Sequence, residues 1–251
     1  MTAALRTDRR DRVTVFTVDR PEVRNALDPA TLEALADGIA AASRDPGTGA
    51  AVLTGAGSAC FSAGMDLRSV RAGRARVGAA VRRFHQAMGS PGRLPVVAAV
   101  RGMAVGGGFE LMLMCDLAVA ARDCRFALPE VRRGLVPGGG ALLLPSRVPL
   151  ATALEIALLG DDLPAERALQ LGLVNRLVDD EQVVETAIRL AAALASRPPA
   201  TLRRVRHLMT VTAVQSAGAS AAAAAALGTS EELAAEAAAG ISGFTGRSLR
   251  S

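Results

Sequence analysis

Twice in this chain an apolar run passes straight into a glycine-rich loop and from there into a helical pattern. Ala50–Thr54 (AAVLT) leads into GAGSACFSAGMDL, and Pro95–Val100 (PVVAAV) leads into GMAVGGG. Short continuous apolar runs bounded by turn residues fit strands buried on both faces, which is the signature of a covered parallel sheet. In open α/β sheets, ligands gather at the carboxyl ends of strands, where such loops lie. The remaining pattern agrees. Arg12–Asp19 is rich in β-formers and ends at Arg20-Pro21. Asp28-Pro29 supplies an N-cap and an N1 proline for a helix carrying Leu32, Leu35 and Ile39, stopped by Asp45-Pro46-Gly47. A polar helix is expected over Arg68–Met88 and a short one over Gly107–Met114. Leu117–Ala120 and Arg125–Leu128 read as short strands, and everything from about Ala151 reads as helical. The order predicts an α/β fold with a mostly parallel sheet.

Which chemistry such a fold can carry is narrowed by absences. The chain has 251 residues, no Trp and no Tyr, and all 29 of its basic residues are Arg. Lysine Schiff bases, P-loop lysines and tyrosine acids are therefore excluded, and only His85, His207 and three cysteines accompany the carboxylates near neutrality. Acid–base work falls first to carboxylates. The net charge of +5 comes from scattered arginines without aromatic interleaving, so nucleic acid is not an expected partner. The N-terminus lacks the apolar segment of a secretory signal, and no apolar run is long enough for a membrane span. Cys60, Cys115 and Cys124 are odd in number and lack metal-ligand spacing, so they are read as small buried residues of a reduced, cytoplasmic protein, and no metal is expected.

Either glycine-rich loop is a tight structural turn or a place where backbone N–H groups approach a ligand, and two such loops could aim one N–H each at a single oxygen. Neither loop has the register of a dinucleotide fingerprint. Glu110 lies in the first turn of an apolar helix (FELMLM), where it either complements the helix dipole or is an acid raised by apolar neighbours. Glu130, in Leu128-Pro129-Glu130, precedes a second glycine-rich stretch ending in Gly138-Gly139-Gly140. It is either a surface or capping residue or the second member of a carboxylate pair. Two carboxylates in one apolar site cannot both ionise cheaply, so such a pair can activate water and supply a proton. His85 is either on a solvated helix face or within reach of a substrate. The segment from Arg197-Pro198-Pro199 onward is Ala-rich, with six consecutive alanines at Ala221–Ala226. It either packs on its own core or serves as an oligomer-forming or lid-forming region.

Five ordered stretches resemble the enoyl-CoA hydratase/isomerase (crotonase) superfamily: RPEVRNAL at Arg20–Leu27, FSAGMDL at Phe61–Leu67, GGGFEL at Gly106–Leu111, LPEVRRGLVPGGG at Leu128–Gly140, and the segment Gly160–Val178. The resemblance implies a spiral of ββα units over residues 1–196 and a C-terminal helical region over 197–251, assembled as a homotrimer or dimer of trimers. It implies an acyl-CoA substrate and no separate cofactor, coenzyme A being part of that substrate. It assigns the backbone N–H groups of Met65 and Gly107 to an oxyanion hole and Glu110 and Glu130 to the catalytic carboxylates. Gly138 it places near the catalytic water, and Arg24, Ala63, Gly64, Asp66 and Leu67 near the coenzyme A moiety. With both glutamates present, the expected reaction is reversible hydration of a 2-enoyl-CoA thioester; a Δ3,Δ2-enoyl-CoA isomerase and a non-catalytic acyl-CoA-binding protein are the alternatives. The pairing of GGGFE with FALPE resembles the carnitinyl-CoA dehydratase-like branch.

Overall fold

The computed structural model describes residues 4–215. Two sheets share the work. The large one has six strands: β1 (Leu5–Arg10), β2 (Val13–Val18), β3 (Ala50–Gly55), β5 (Val96–Val100), β7 (Leu117–Ala121) and β10 (Arg176–Val178), in that spatial order. All its pairings are parallel except the antiparallel β1–β2 pair. A smaller sheet is built from β4 (Cys60–Ser62), β6 (Met103–Val105), β8 (Arg125–Ala127) and β9 (Leu163–Pro164). The chain therefore repeats one unit: a strand in the large sheet, a strand in the small sheet, then a helix. It does so through β3–β4 into α2 (Leu67–Ala72) and α3 (Arg74–Gly89), and through β5–β6 into α4 (Gly107–Leu113). A third pass runs through β7–β8 into a 3-10 turn (Pro129–Arg133) and α5 (Gly138–Leu143). This is the spiral of ββα units that the motifs imply.

Every residue of β2, β3 and β5 is buried, which explains their unbroken apolar sequence. α1 (Pro29–Arg44) starts as its sequence dictates: the Asp28 carboxylate accepts the Thr31 N–H at 2.8 Å, and Leu32, Leu35, Ala36 and Ile39 face the core. α1 packs along α3. α8 (Val183–Ala195) lies across β3, β5 and β7, presenting Ala187 and Ala191 to the sheet with no exposed surface. Small residues let the helix sit close. A Cβ on Gly49 would stand 2.7 Å from the Ala195 Cβ.

Several elements depart from the sequence reading. β1 was not anticipated, because LRTDRR has no apolar alternation; its backbone pairs with β2 while its side chains beyond Leu5 stay exposed. The polar helix expected over Arg68–Met88 is two helices, since Gly73 ends α2 and opens α3. β9 and β10 fall inside the stretch expected to be all helical, between α6 (Leu150–Leu159), α7 (Ala165–Gln170) and α8. Of the C-terminal region 197–251, α9 (Pro199–Gln215) is described; the Ala221–Ala226 run lies outside the described residues. Among the described residues, no helix is long and apolar enough to cross a membrane.

Candidate active site

The first wall of the site is a turn held in an uncommon conformation. Arg24 and Asn25 both have φ of 54°, and the left-handed region is one that Asn tolerates well. Asn25 is buried and locks the turn with its side chain. Its Oδ1 accepts the Arg20 N–H at 3.1 Å, and its Nδ2 donates to the carbonyls of Ala56 and Cys60 at 2.9 and 2.7 Å. Arg20 closes the other side, donating to the Ala26 carbonyl at 2.6 Å and reaching Asp28 and Asp66, each at 3.3 Å. Leu27 then pairs with the loop after β4. Its N–H donates to the Gly64 carbonyl at 2.7 Å, and its carbonyl accepts the Asp66 N–H at 2.9 Å.

Those two bonds straddle Met65, so its own N–H is turned out of the pairing. Among the described residues it donates to no backbone carbonyl. Gly107 opens α4, and the first N–H groups of a helix have no partner within it. The two groups are neighbours: a Cβ on Gly107 would stand 3.4 Å from the Met65 nitrogen. Gly64 makes this approach possible. At φ of 86°, a Cβ there would lie 2.7 Å from the Val105 carbonyl oxygen and 2.9 Å from the Gly107 nitrogen. Two backbone N–H groups from two different ββα units thus lie side by side, the placement that two donors to one oxygen would need.

Glu110 sits one turn into α4, between the buried Phe109 and Leu111. Burial pushes its carboxyl above the ordinary range, and N–H groups of Gly140 and Gly139 pull against that. The Gly140 N–H donates to its Oε1 at 2.6 Å. Glu130 is likewise pushed up, to about 7, by burial first and by the charge of Glu110 as well, with Arg133 opposing. Its Oε2 is buried without a hydrogen-bond partner among the described residues. Its Oε1 lies 2.7 Å from where a Cβ on Gly106 would stand, at the start of α4. The structure therefore brings Met65, Gly107, Glu110 and Glu130 into one place. One carboxylate accepts from backbone N–H groups, which favour its charged form against the burial that raises it. The other is inclined to keep its proton near neutrality.

The remaining expected residues fall around this centre. Gly138 is exposed, and a Cβ built on it would meet open space, whereas Gly139 and Gly140 are the glycines of that run that touch Glu110. Ala63 is exposed and its N–H donates to the Arg24 carbonyl at 3.0 Å. Asp66 caps α2, accepting the Arg68 N–H at 3.0 Å, and Leu67 is the first residue of that helix. Arg24 is exposed on the rim. Arg20, Asn25 and Gly139 were not anticipated. The partners of Asn25 at Ala56 and Cys60, of Arg20 at Asp66 and of Gly139 at Glu110 are distant in sequence, so no local pattern announces them.

Residues 8–247 match the family model described as enoyl-CoA hydratase/isomerase, and the chain belongs to that family. A carnitinyl-CoA dehydratase of Salmonella typhi is 35% identical over 224 residues, covering 84% of this chain and 82% of that protein. Among solved structures, an enoyl-CoA hydratase from Mycobacterium tuberculosis H37Rv superposes with a TM-score of 0.76 at 40% identity, covering 83% of this chain and 82% of its own. A carnitinyl-CoA hydratase from Mycobacterium avium superposes with a TM-score of 0.86 at 32% identity, covering 98% and 97%. This is a family of enzymes, and these relatives carry hydro-lyase names.

Proposed function

We propose that the chain catalyses the reversible addition of water across the double bond of a 2-enoyl-CoA thioester. The observation that carries this reading is the pairing of Glu130, pushed up to about 7, with Glu110, whose Oε1 accepts the Gly140 N–H, beside the neighbouring N–H groups of Met65 and Gly107. The thioester oxygen accepts from Met65 and Gly107, which drains charge from the acyl chain and makes Cβ electrophilic. Glu110 takes one proton from a water whose oxygen bonds to Cβ. Glu130 delivers its proton to Cα as the enolate collapses. The atoms balance: water gives OH to Cβ and a proton to Glu110, Glu130 gives a proton to Cα, and the pair ends with its single proton moved from one carboxyl to the other. The reaction calls for no cofactor beyond the coenzyme A that the substrate carries. Donors of the oxyanion type contribute ~10²–10³ in rate each.

The test is hydration of crotonyl-CoA by wild type, Glu110→Gln and Glu130→Gln. Each variant is expected to lose ~10²–10⁴ in kcat with KM little changed. Full activity in both would overturn the assignment. The panel should include a carnitinyl-CoA thioester, because of the names of the relatives, and a 3-enoyl-CoA, whose turnover would favour isomerase chemistry. A homotrimer or dimer of trimers is the expected assembly, readable by sedimentation.

A further inference from the structure

Glu110 follows the C-terminal end of β5 and Glu130 that of β7; a second feature lies at the N-terminal end of β5. There the last turns of α1 and α3 meet the start of α9 around a cleft of about 480 Å³. Its lining includes Arg44 from α1, Gln86 and Ser90 at the end of α3, Arg93 before β5, and Arg203 from α9. Arg206, one turn beyond Arg203, reaches back to the carbonyls of Ser90 and Pro91.

The charge balance here does not close. Four guanidinium groups, of Arg44, Arg93, Arg203 and Arg206, share one carboxylate, Asp116. Arg93 takes both Asp116 oxygens at 2.8 Å, and Arg206 stands 4.0 Å from the same group. The C-termini of α1 and α3 add roughly half a negative charge each. Asp37 and Asp45, the acids on and after α1, are occupied by Arg83 and Arg9. Arg44 and Arg203 enter no ion pair among the described residues. About two positive charges therefore remain. Arg44 is exposed and Arg203 half-buried, but beside them Arg93 and Arg206 are only 2% and 9% exposed. The Arg206 Nε is moreover a buried donor with no partner among the described residues. Buried donors without partners are rare and call for an explanation. Burial, with the like charge of Arg93, also holds Arg206 below its ordinary pKa.

We infer that this cleft binds a small phosphate-bearing anion, gripped between Arg44 on the core and Arg203 on α9. Guanidinium is suited to phosphate oxygens because it offers paired, planar donors. The cleft is larger than one phosphate needs and falls within the range of nucleotide-sized ligands. Since Arg203 and Arg206 belong to α9, and Arg44 and Arg93 to the body it packs on, the anion clamps α9 in place.

The test titrates the full chain with pyrophosphate and, separately, with ADP by calorimetry at fixed ionic strength. Amide hydrogen exchange is followed across residues 199–215. One saturable site per chain is expected, with slowed exchange in α9. Arg44→Ser and Arg203→Ser should each weaken binding about tenfold or more while leaving crotonyl-CoA turnover at the wild-type value. Tighter binding of ADP than of pyrophosphate would identify a nucleotide as the ligand, and the reverse an inorganic phosphate. Absence of saturable binding, or binding untouched by both substitutions, would overturn the inference; the latter would place the anion in the thioester site. Binding is read directly, so a chain inactive on every thioester would still pass or fail this test.

Discussion

Glu130 is held against its own ionisation. Its carboxyl sits near 7 instead of the ordinary 4.5, so the folded state carries a cost that is absent below the ordinary value and complete above about pH 7. Glu130→Gln removes the charge and should therefore stabilise the protein at pH 8 and not at pH 4. The gain is up to about 3 kcal/mol at ~1.4 kcal/mol per pH unit, read as a pH-dependent rise in Tm. The same group sets the rate profile. Hydration and dehydration both begin from a pair that holds one proton, so kcat/KM in the two directions should trace the same bell, with its alkaline limb near 7. A profile flat from about pH 6 to about pH 9 would mean that Glu130 moves no proton. The sequence singles out Glu110 by its apolar neighbours, whereas Glu130 stays open on its residues alone and is singled out by the family resemblance. Gly139 and Gly140 were not singled out, since the hydrogen bond from Gly140 spans 30 residues back to Glu110.

At the scale of elements, the turn before α1 illustrates how little a local pattern can reveal. α1 itself was readable from Asp28, Pro29 and its apolar spacing, all of which act within one helix. The turn is fixed instead by Asn25, whose side chain answers to Arg20, Ala56 and Cys60. Asn25→Ala would leave buried carbonyls unanswered and put a Cβ-bearing residue at φ of 54° with no side-chain compensation. A loss of about 3 kcal/mol is expected, together with a fall in kcat as the Met65 loop loosens; the urea midpoint and crotonyl-CoA kinetics would check both. β4 and β6 were hidden for the same reason. They are three-residue strands inside stretches that read as glycine-rich loops, and each exists by pairing with another loop. β1 was hidden because its exposed face carries charge, such as the Arg6–Asp19 pair at 2.8 Å, and so shows no alternation.

For the molecule as a whole, the parallel sheet and the near-alanine face of α8 set the tolerance of the core. Ala187 and Ala191 have no exposed surface against strands made of Ala and Val. Ala191→Leu adds volume where neither layer can retreat, and should cost about 1–3 kcal/mol. Calorimetric unfolding would show it, and an unchanged Tm would mean that α8 sits more loosely than its contacts indicate. The buried strands beneath α8 were displayed openly in the sequence as apolar runs. The division into two sheets did not, because it depends on which loops find each other.

The Leu27–Met65 bridge has a consequence in time. It joins the turn before α1 to the loop before α2, and the same loop must then meet Gly107, while Glu110 must meet Gly140. None of these meetings is local, and each waits on a separate crossover of the sheet. Non-local closure is the slow part of folding. Secondary structure should therefore return early on dilution from denaturant. Catalytic competence should return only with the slowest phase, when the last pass of the spiral locks onto the first.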